Sequence, residues 1–378
     1  MNQRIFSGYG AHKNILSLLS EFRINKLFLV TGKRSYYISQ AATILSDALS
    51  KFDYIRFYDF ETNPKLEDIK RGIELFNSER CDFIVGMGGG SVLDIAKAIS
   101  LLATQVNSLE ERIVGKKEIG DREIPSLMIP TTAGTGSEST HFSVIYINKT
   151  KYSLAHPSLL PDMAILDPIF TEGLSPYITA CSGMDALCQG IESFWSINAT
   201  EESKEYSRQA IQLSLSNIVK AVNNPDKESR ENMLLAGNYA GKAINISKTT
   251  AAHALSYPFT SFFNIPHGHA VALTLPAFIS LNNDITNDNL QDRRGLTYVK
   301  NTMKALIDIM GATTCKEAEN KIITIMKKIK LETRLSPLGL GIKDLDVIVK
   351  NGFNPERIIN NPRKIQEKEV RCLLEGIL

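Results

Sequence analysis

Charge of one sign is missing from this sequence. Its 378 residues sum to a net +2, which gives no electrostatic reason to expect a nucleic-acid or membrane partner. Long apolar runs are missing too, and none is long enough to span a bilayer. The N-terminus, MNQRIFSGYGAHK, is polar and carries no mark of a secretory signal. Cysteine is scarce: Cys81, Cys181, Cys188, Cys315 and Cys372 are scattered and odd in number. That suits reduced thiols in a cytoplasmic protein better than a disulfide framework, and Cys181–Cys188 lacks zinc-ribbon spacing. There is no internal repeat and no low-complexity segment. What remains is an ordinary globular composition, 43% hydrophobic and 22% charged, over a length for which two domains are the default expectation.

The first half alternates strand and helix signals. KLFLVTG (Lys26–Gly32) reads as a buried strand, SQAATILSDALSKF as an amphipathic helix, and YIRFYDF (Tyr54–Phe60) as a second strand. PKLEDIKRGIELFNSER follows as a helix with Pro64 in its first turn. CDFIVGMGGG is a third strand running into SVLDIAKAISLLA as a helix, and PSLMIPTT (Pro125–Thr132) is a fourth strand. Such repeated units imply a parallel sheet covered on both faces. HFSVIYIN and KYSLAH then flank Lys149–Thr150 like a hairpin, and MAILDP adds a short strand. Beyond Pro176 helical periodicity dominates, with breaks expected at Asn223–Pro225, Pro258, Pro266, Pro276 and Pro337. The expected division is an α/β domain over residues 1–170 and an all-α domain over residues 171–378.

In GMGGGSVLDIAK a strand meets a helix through Gly88, Gly89 and Gly90. Glycines let the backbone approach a phosphate closely, and Ser91 with the first helical amides then points at it. Ser91 stands where the G-x-G-x-x-G fingerprint has its last glycine, and a tight structural turn is the alternative. A second small-residue turn, PTTAGTGSE (Pro130–Glu138), follows the next strand. Two such turns at the same ends of neighbouring strands would line one crevice. The strand ending at Gly32 is followed by Lys33, Arg34 and Ser35. A carboxylate there would repel a 2′-phosphate; its absence together with two cations admits NADP, unless this is only a solvated basic loop.

The most chemically loaded stretch is NISKTTAAHALSYPFTSFFNIPHGH (Asn245–His269). His253 reads as lying near the end of a helix, Pro258 as its break, and His267 as the start of the next. Asp185 in SGMDALCQGIES is the best upstream carboxylate, and Gln189, four residues on, shares its helix face. One carboxylate and two imidazoles suit Fe²⁺ or Zn²⁺ with positions left open for a substrate oxygen. The alternatives are an Asp that only complements a helix dipole and histidines that are structural. Lys248 and Thr249, five and four residues before His253, read as lying on its helix. They suit a phosphonate or carboxylate, the alternative being a solvated lysine.

Taken together, GGGSVLDIAKAIS, IPTTAGTGSE, MAILDP, GMDALCQGIES and HALSYPFTSFFNIPHGHAVALTLP resemble the iron-dependent alcohol dehydrogenase family, relatives of glycerol dehydrogenase and 3-dehydroquinate synthase. The resemblance covers nearly the whole chain. It implies a Rossmann-like dinucleotide-binding domain, an all-helical C-terminal domain as in dehydroquinate synthase, a metal between them, and a homodimer. By the same resemblance Gly88, Gly89, Gly90 and Ser91 match the pyrophosphate turn, with Asp94 just inside its helix. Thr131, Thr132, Thr135 and Ser137 match the turn near the nicotinamide. Asp185, His253 and His267 match metal ligands.

This sequence departs from the family pattern at two places. Gln189 and Tyr257 stand where many relatives carry histidine. Gln189 is a weaker ligand, and proton delivery falls to Tyr257, water or His269. Within the family, DALCQGIESFW and ISKTTAAHALSYP look most like the branch that reduces phosphonoacetaldehyde to 2-hydroxyethylphosphonate with NAD(P)H. A neutral-substrate alcohol or diol dehydrogenase, a lyase of the dehydroquinate synthase type and an inactive binding protein are the rival expectations.

Overall fold

The apolar runs of the first half are buried along their length, as strands covered on both faces must be. In the computed structural model, which describes residues 3–148, 150–353 and 358–378, six strands form one sheet. Their order is β1 (Arg4–Ser7), β8 (Met163–Leu166), β5 (Ser126–Pro130), β4 (Phe83–Gly88), β2 (Leu27–Thr31) and β3 (Tyr54–Phe57). Every pairing is parallel. Along β2, Phe28 and Val30 join one core while Leu27 and Leu29 join the other, because successive strand residues face opposite ways. The first core is closed by α5 (Leu66–Ser78) and α6 (Gly90–Leu102). The second is closed by α1 (Ile15–Ser20), α2 (Ser35–Ile38), α3 (Ala41–Ile44) and α4 (Ser46–Leu49). A short helix, α7 (Leu109–Ile113), precedes β5.

The order of the strands fixes where a ligand belongs. From β2 the chain steps outward to β3, then returns to the far side of β2 for β4 and continues to β5. The direction of winding thus reverses between β2 and β4. Open α/β sheets bind ligands beyond the carboxyl ends of strands at such a reversal, and these ends carry Gly32 and Gly88.

Several local expectations are corrected here. β1 is an edge strand paired with β8; MNQRIFSGYG is too short and polar to show it. The stretch Ser39–Phe52 is not one helix but the two single turns α3 and α4, entered through Gln40 in the left-handed region at φ 58°. Ala41, Leu45 and Leu49 are all buried at four-residue spacing, which is why the pattern reads as helical. Pro64 lies outside α5, which starts after Lys65, whose N–H donates to the Asp68 carboxylate at 3.0 Å. The hairpin is β6 (Phe142–Ile147) against β7 (Thr150–Ala155), antiparallel, with Ile147 opposite Thr150. Thr150 therefore belongs to the strand, and Lys149 lies outside the described residues.

The chain divides into the units Met1–Leu174 and Ser175–Leu378. Among the described residues the second unit has no strand. It comprises α8 (Pro176–Trp195), α9 (Glu201–Asn223), α10 (Lys227–Ser247), α11 (Ala251–Phe263), α12 (His267–Asn283), α13 (Leu296–Ile309), α14 (Cys315–Lys328), α15 (Leu345–Gly352) and a closing helix, Glu367–Gly376. Side-chain caps begin many of them: Ser175 for α8, Thr200 for α9, Asp226 for α10 and Thr314 for α14. α8 is apolar around most of its circumference and packs against α9, α10, α12 and α13, the mark of a central helix. No helix of the described residues is long and apolar enough to cross a membrane.

Pro258 and Pro276 do not break the helices they fall in; α11 and α12 run through them. A mid-helix proline costs about 3 kcal/mol, and the packing of α11 on α12 and α15 outweighs it. The break falls instead at Asn264, left-handed at φ 55°, followed by Pro266 as the cap of α12.

Candidate functional site

In the first unit, β4 ends at Gly88, Gly89 caps α6 with extended backbone, and α6 begins at Gly90. The amides of Gly90 and Ser91 come before the first backbone bond of the helix, from Val92 N–H to the Gly89 carbonyl. They are the orphan donors that an anion at a helix N-terminus uses. The turn after β5 lies directly against this one. A Cβ on Gly89 would sit 3.3 Å from Thr132, and one on Gly90 would sit 2.8 Å from Thr135. Thr131 N–H donates to the Gly88 carbonyl at 2.9 Å. The two small-residue turns therefore share one crevice. A Cβ on Gly32, at the end of β2, would strike Ser35 Oγ at 2.1 Å and come within 3.7 Å of Val92, the residue a Cβ on Gly88 would strike at 2.5 Å. Lys33 and Arg34 are exposed beside it.

Asp94 and Ser137 face one another: the Ser137 hydroxyl donates to Asp94 Oδ1 at 2.6 Å, and Val144 N–H donates to Asp94 Oδ2 at 3.1 Å. Through these bonds Asp94 and Ser137 tie the turn after β5 to α6. Sequence reasoning misses their partner Lys97, because a lysine on a helix usually reads as solvated. Lys97 is fully buried. Its Nζ donates to the Ser137 carbonyl at 2.9 Å, to the Thr140 hydroxyl at 3.1 Å and carbonyl at 3.3 Å, and to the Phe142 carbonyl. Burial lowers its pKa against the opposing pull of Asp94 and Glu138. The apolar character of α6 on every side is the signal that could have flagged it.

In the second unit, Asp185 sits mid-way along α8, His253 in the first turn of α11, and His267 at the first position of α12. His253 therefore opens its helix rather than closing one. His253 Nε2 lies 3.4 Å and His267 Nε2 3.9 Å from Asp185 Oδ1, and one ligand atom from each residue falls within 4.8 Å of the others. Ligands about 2.0–2.2 Å from a tetrahedral metal stand roughly 3.3–3.6 Å apart. Gly268 makes the approach possible: a Cβ there would lie 1.9 Å from the Cys181 carbonyl oxygen and 2.9 Å from Asp185 Cβ.

Hydrogen bonds fix both imidazoles. His253 Nδ1 donates to Glu192 Oε2, while Glu192 Oε1 accepts from the Thr250 hydroxyl at 2.5 Å and Ala252 N–H at 2.8 Å. The Ser256 hydroxyl gives its proton to the His253 carbonyl at 2.7 Å, so its oxygen accepts from His267 Nδ1 at 3.2 Å. Each ring thus presents Nε2. Asp185 Oδ1, Gln189 Oε1 and His253 Nε2 are buried without a hydrogen-bond partner. Of these, Asp185 Oδ1 and His253 Nε2 face one another across 3.4 Å; acceptors so placed in a buried site need a cation between them, and the donor set of Asp185, His253 and His267 fits a divalent ion. Without one, the proton fills the place. Burial would lower the His253 pKa, but the Glu192 and Asp185 carboxylates beside it raise it to about 9. Burial would raise the Asp185 pKa, but the His253 and His267 imidazoles beside it hold it low.

Residues 2–168 match the family described as iron-containing alcohol dehydrogenase, and residues 179–378 match the C-terminal region of the same family. The chain belongs to the iron-containing alcohol dehydrogenase family. It is therefore an oxidoreductase, which sets aside the lyase and inactive-protein readings. Phosphonoacetaldehyde reductase of Streptomyces viridochromogenes is 30% identical over 345 residues, 87% of this chain and 84% of that one. 1,3-Propanediol dehydrogenase of Citrobacter freundii is 31% identical over 354 residues, 91% and 89%. The crystal structure of sulfoacetaldehyde reductase from Bifidobacterium kashiwanohense in complex with NAD⁺ is 30% identical with a TM-score of 0.88, covering 99% of this chain and 96% of that one. The fold is accordingly the dehydroquinate synthase-like one of iron-containing alcohol dehydrogenases.

Three residues need correction within this family frame. Lys248 and Thr249 are not on the helix of His253: α10 ends at Ser247, Lys248 caps it at φ 63°, and α11 begins only at Ala251. Lys248 is exposed and Thr249 buried. Helical propensity runs through this stretch, and the cap overrides it. His269 is turned away from the metal group, as a residue two positions past His267 must be. It is 1% exposed, its Nε2 donates to the Glu332 carbonyl at 2.8 Å, and burial lowers its pKa. His269 is thus engaged with the Glu332 backbone within the helical unit. Tyr257, one turn after His253, is half-buried, with its ring 6.3 Å from that of His267 and nearly parallel at 25°. Glu192 is the functional residue that sequence reasoning misses; it lies seven residues, two turns, after Asp185 on the same face of α8.

Proposed function

We propose that this enzyme reduces a small anionic aldehyde, phosphonoacetaldehyde or a close analogue, with NADPH or NADH. Asp185, His253 and His267 hold a divalent ion, Fe²⁺ or alternatively Zn²⁺, with the amide oxygen of Gln189 as a weaker fourth ligand. The observation that carries the reading is the pair of partnerless buried atoms Asp185 Oδ1 and His253 Nε2, 3.4 Å apart. When bound, such an ion polarises a carbonyl oxygen and a reduced nicotinamide supplies hydride.

The chain's own residues do the rest. Gly88, Gly89, Gly90 and Ser91 receive the pyrophosphate, and the turn of Thr131, Thr132 and Thr135, shaped by Asp94 and Ser137, lies beside it. Glu192 and Ser256 engage each Nδ1, so that Nε2 is the ring atom turned to the ion. Tyr257, beside His267, passes the proton that completes the alcohol, directly or through water. Lys248 and Thr249, on the connector between α10 and α11, hold the anionic end. The likeness to reductases of phosphonoacetaldehyde and sulfoacetaldehyde supports an anionic substrate. A homodimer in the cytoplasm belongs to the same proposal.

A second reading, a neutral alcohol or diol dehydrogenase, is favoured by the exposure of Lys248 and by the likeness to 1,3-propanediol dehydrogenase. Metal-reconstituted enzyme assayed on phosphonoacetaldehyde, sulfoacetaldehyde, 3-hydroxypropanal and propanal, each with NADPH and NADH, separates the two. The anionic reading expects kcat/KM to favour the charged aldehydes; equal or better turnover of the neutral ones would replace it.

A further inference from the structure

The strand end that carries Gly32 has a cationic neighbour on the next strand. β3 lies beside β2 at the sheet edge, with Arg56 opposite Leu29. The Arg56 guanidinium is clamped in place. Nε donates to Thr31 Oγ1 at 2.7 Å, Nη1 to the Tyr37 hydroxyl at 3.0 Å, and Nη2 to the Gly32 carbonyl at 3.2 Å. The rings of Tyr36, Tyr58 and Tyr37 lie 4.4, 4.5 and 5.1 Å from its central carbon. These contacts immobilise the cation without neutralising it: each acceptor is a neutral oxygen, and no carboxylate pairs with Arg56 among the described residues. A guanidinium has five N–H groups; three are engaged, which leaves two. Lys33 and Arg34 stand exposed on the adjoining loop, also without an ion pair among the described residues.

We propose that Arg56 is the residue that recognises a 2′-phosphate on adenosine, so that the enzyme prefers NADP(H) to NAD(H). The inference rests on the dinucleotide reading of the Gly88–Ser91 turn. With the pyrophosphate at the end of β4, the adenosine ribose falls over the end of the adjoining strand at the winding reversal, which is β2. Gly32 offers no carboxylate to a ribose 2′-hydroxyl there. The next strand outward brings a planar, pre-oriented guanidinium whose fork matches phosphate geometry. Thr31, Gly32 and the tyrosines hold that fork before any ligand arrives, so little side-chain freedom is lost on binding.

Isothermal titration of the metal-loaded enzyme with adenosine 2′,5′-bisphosphate and with 5′-AMP tests this. The wild type should bind the bisphosphate roughly ten- to a hundredfold more tightly. Arg56→Met should bring that ratio towards one with 5′-AMP binding unchanged. Arg56→Lys, which keeps the charge but not the fork, should give an intermediate ratio and serves if the Met variant melts early. A wild-type ratio near one, or an unchanged ratio in folded Arg56→Met, overturns the assignment of Arg56 while leaving the dinucleotide site standing. Failure of both nucleotides to bind the wild type would overturn the dinucleotide reading and Arg56 with it.

Discussion

His253 and Glu192 form a buried pair in which the imidazole Nδ1 proton is held by the carboxylate and Nε2 is turned towards Asp185. Outer-shell carboxylates of this kind fix the tautomer and orientation of a metal-binding histidine. Glu192→Ala should lower metal affinity about 10- to 100-fold, measured by competition with a chelator. It should also destabilise the fold by about 1–3 kcal/mol, because Thr250, Ala252 and His253 lose one buried acceptor. Glu192→Gln keeps an acceptor and should recover part of both losses.

Metal affinity should rise with pH. The metal needs the Nε2 lone pair of His253, and in the metal-free protein that nitrogen holds a proton up to a pKa of about 9. Lowering the pH below that value favours the proton, so apparent affinity should fall by about tenfold per pH unit from this group. Calorimetric titration in buffers of different ionisation enthalpy should show about one proton released per ion bound near pH 7. A pH-independent affinity would exclude His253 as a ligand.

Gly268→Ala should loosen the site without touching a ligand. The added methyl would overlap the Cys181 carbonyl oxygen at 1.9 Å, so the first turn of α12 must withdraw from α8 and take His267 with it. The expected cost is about 1–3 kcal/mol of stability, read as a lower melting temperature, together with a reduced metal content.

Lys97→Met should act on the other unit alone. It leaves the acceptors at Ser137, Thr140 and Phe142 without their buried donor. Dinucleotide affinity should weaken and the melting temperature fall, while metal content stays at the wild-type level. Loss of metal together with dinucleotide would contradict this division of labour.

That Asp185, His253 and His267 come together, as the structure has them, was legible chiefly from the family-like motifs around them and only weakly from their spacing. Their positions within their helices were not. Pro258 reads as a break, yet the packing of α11 offsets one missing backbone bond, and the true break at Asn264 is marked only by an asparagine that tolerates left-handed backbone, a weaker signal than a proline. Lys248 and Thr249 looked helical because a cap at positive φ leaves no signature in a lysine. Glu192, Lys97 and Arg56 escaped for a common reason: charged residues are expected in solvent, and only the fold reveals that two are buried and that the third is held among tyrosines. The strands of the sheet, apolar and glycine-ended, were plain; the short polar edge strand β1 was not.

Metal stoichiometry tests the central claim most directly. Protein stripped with chelator, dialysed against Fe²⁺ without oxygen and assayed for metal should bind one ion per chain. Asp185→Asn, His253→Ala and His267→Ala, each shown to be folded, should bind far less. Retention of one tightly bound ion in all three variants, or none in the wild type, would contradict the account.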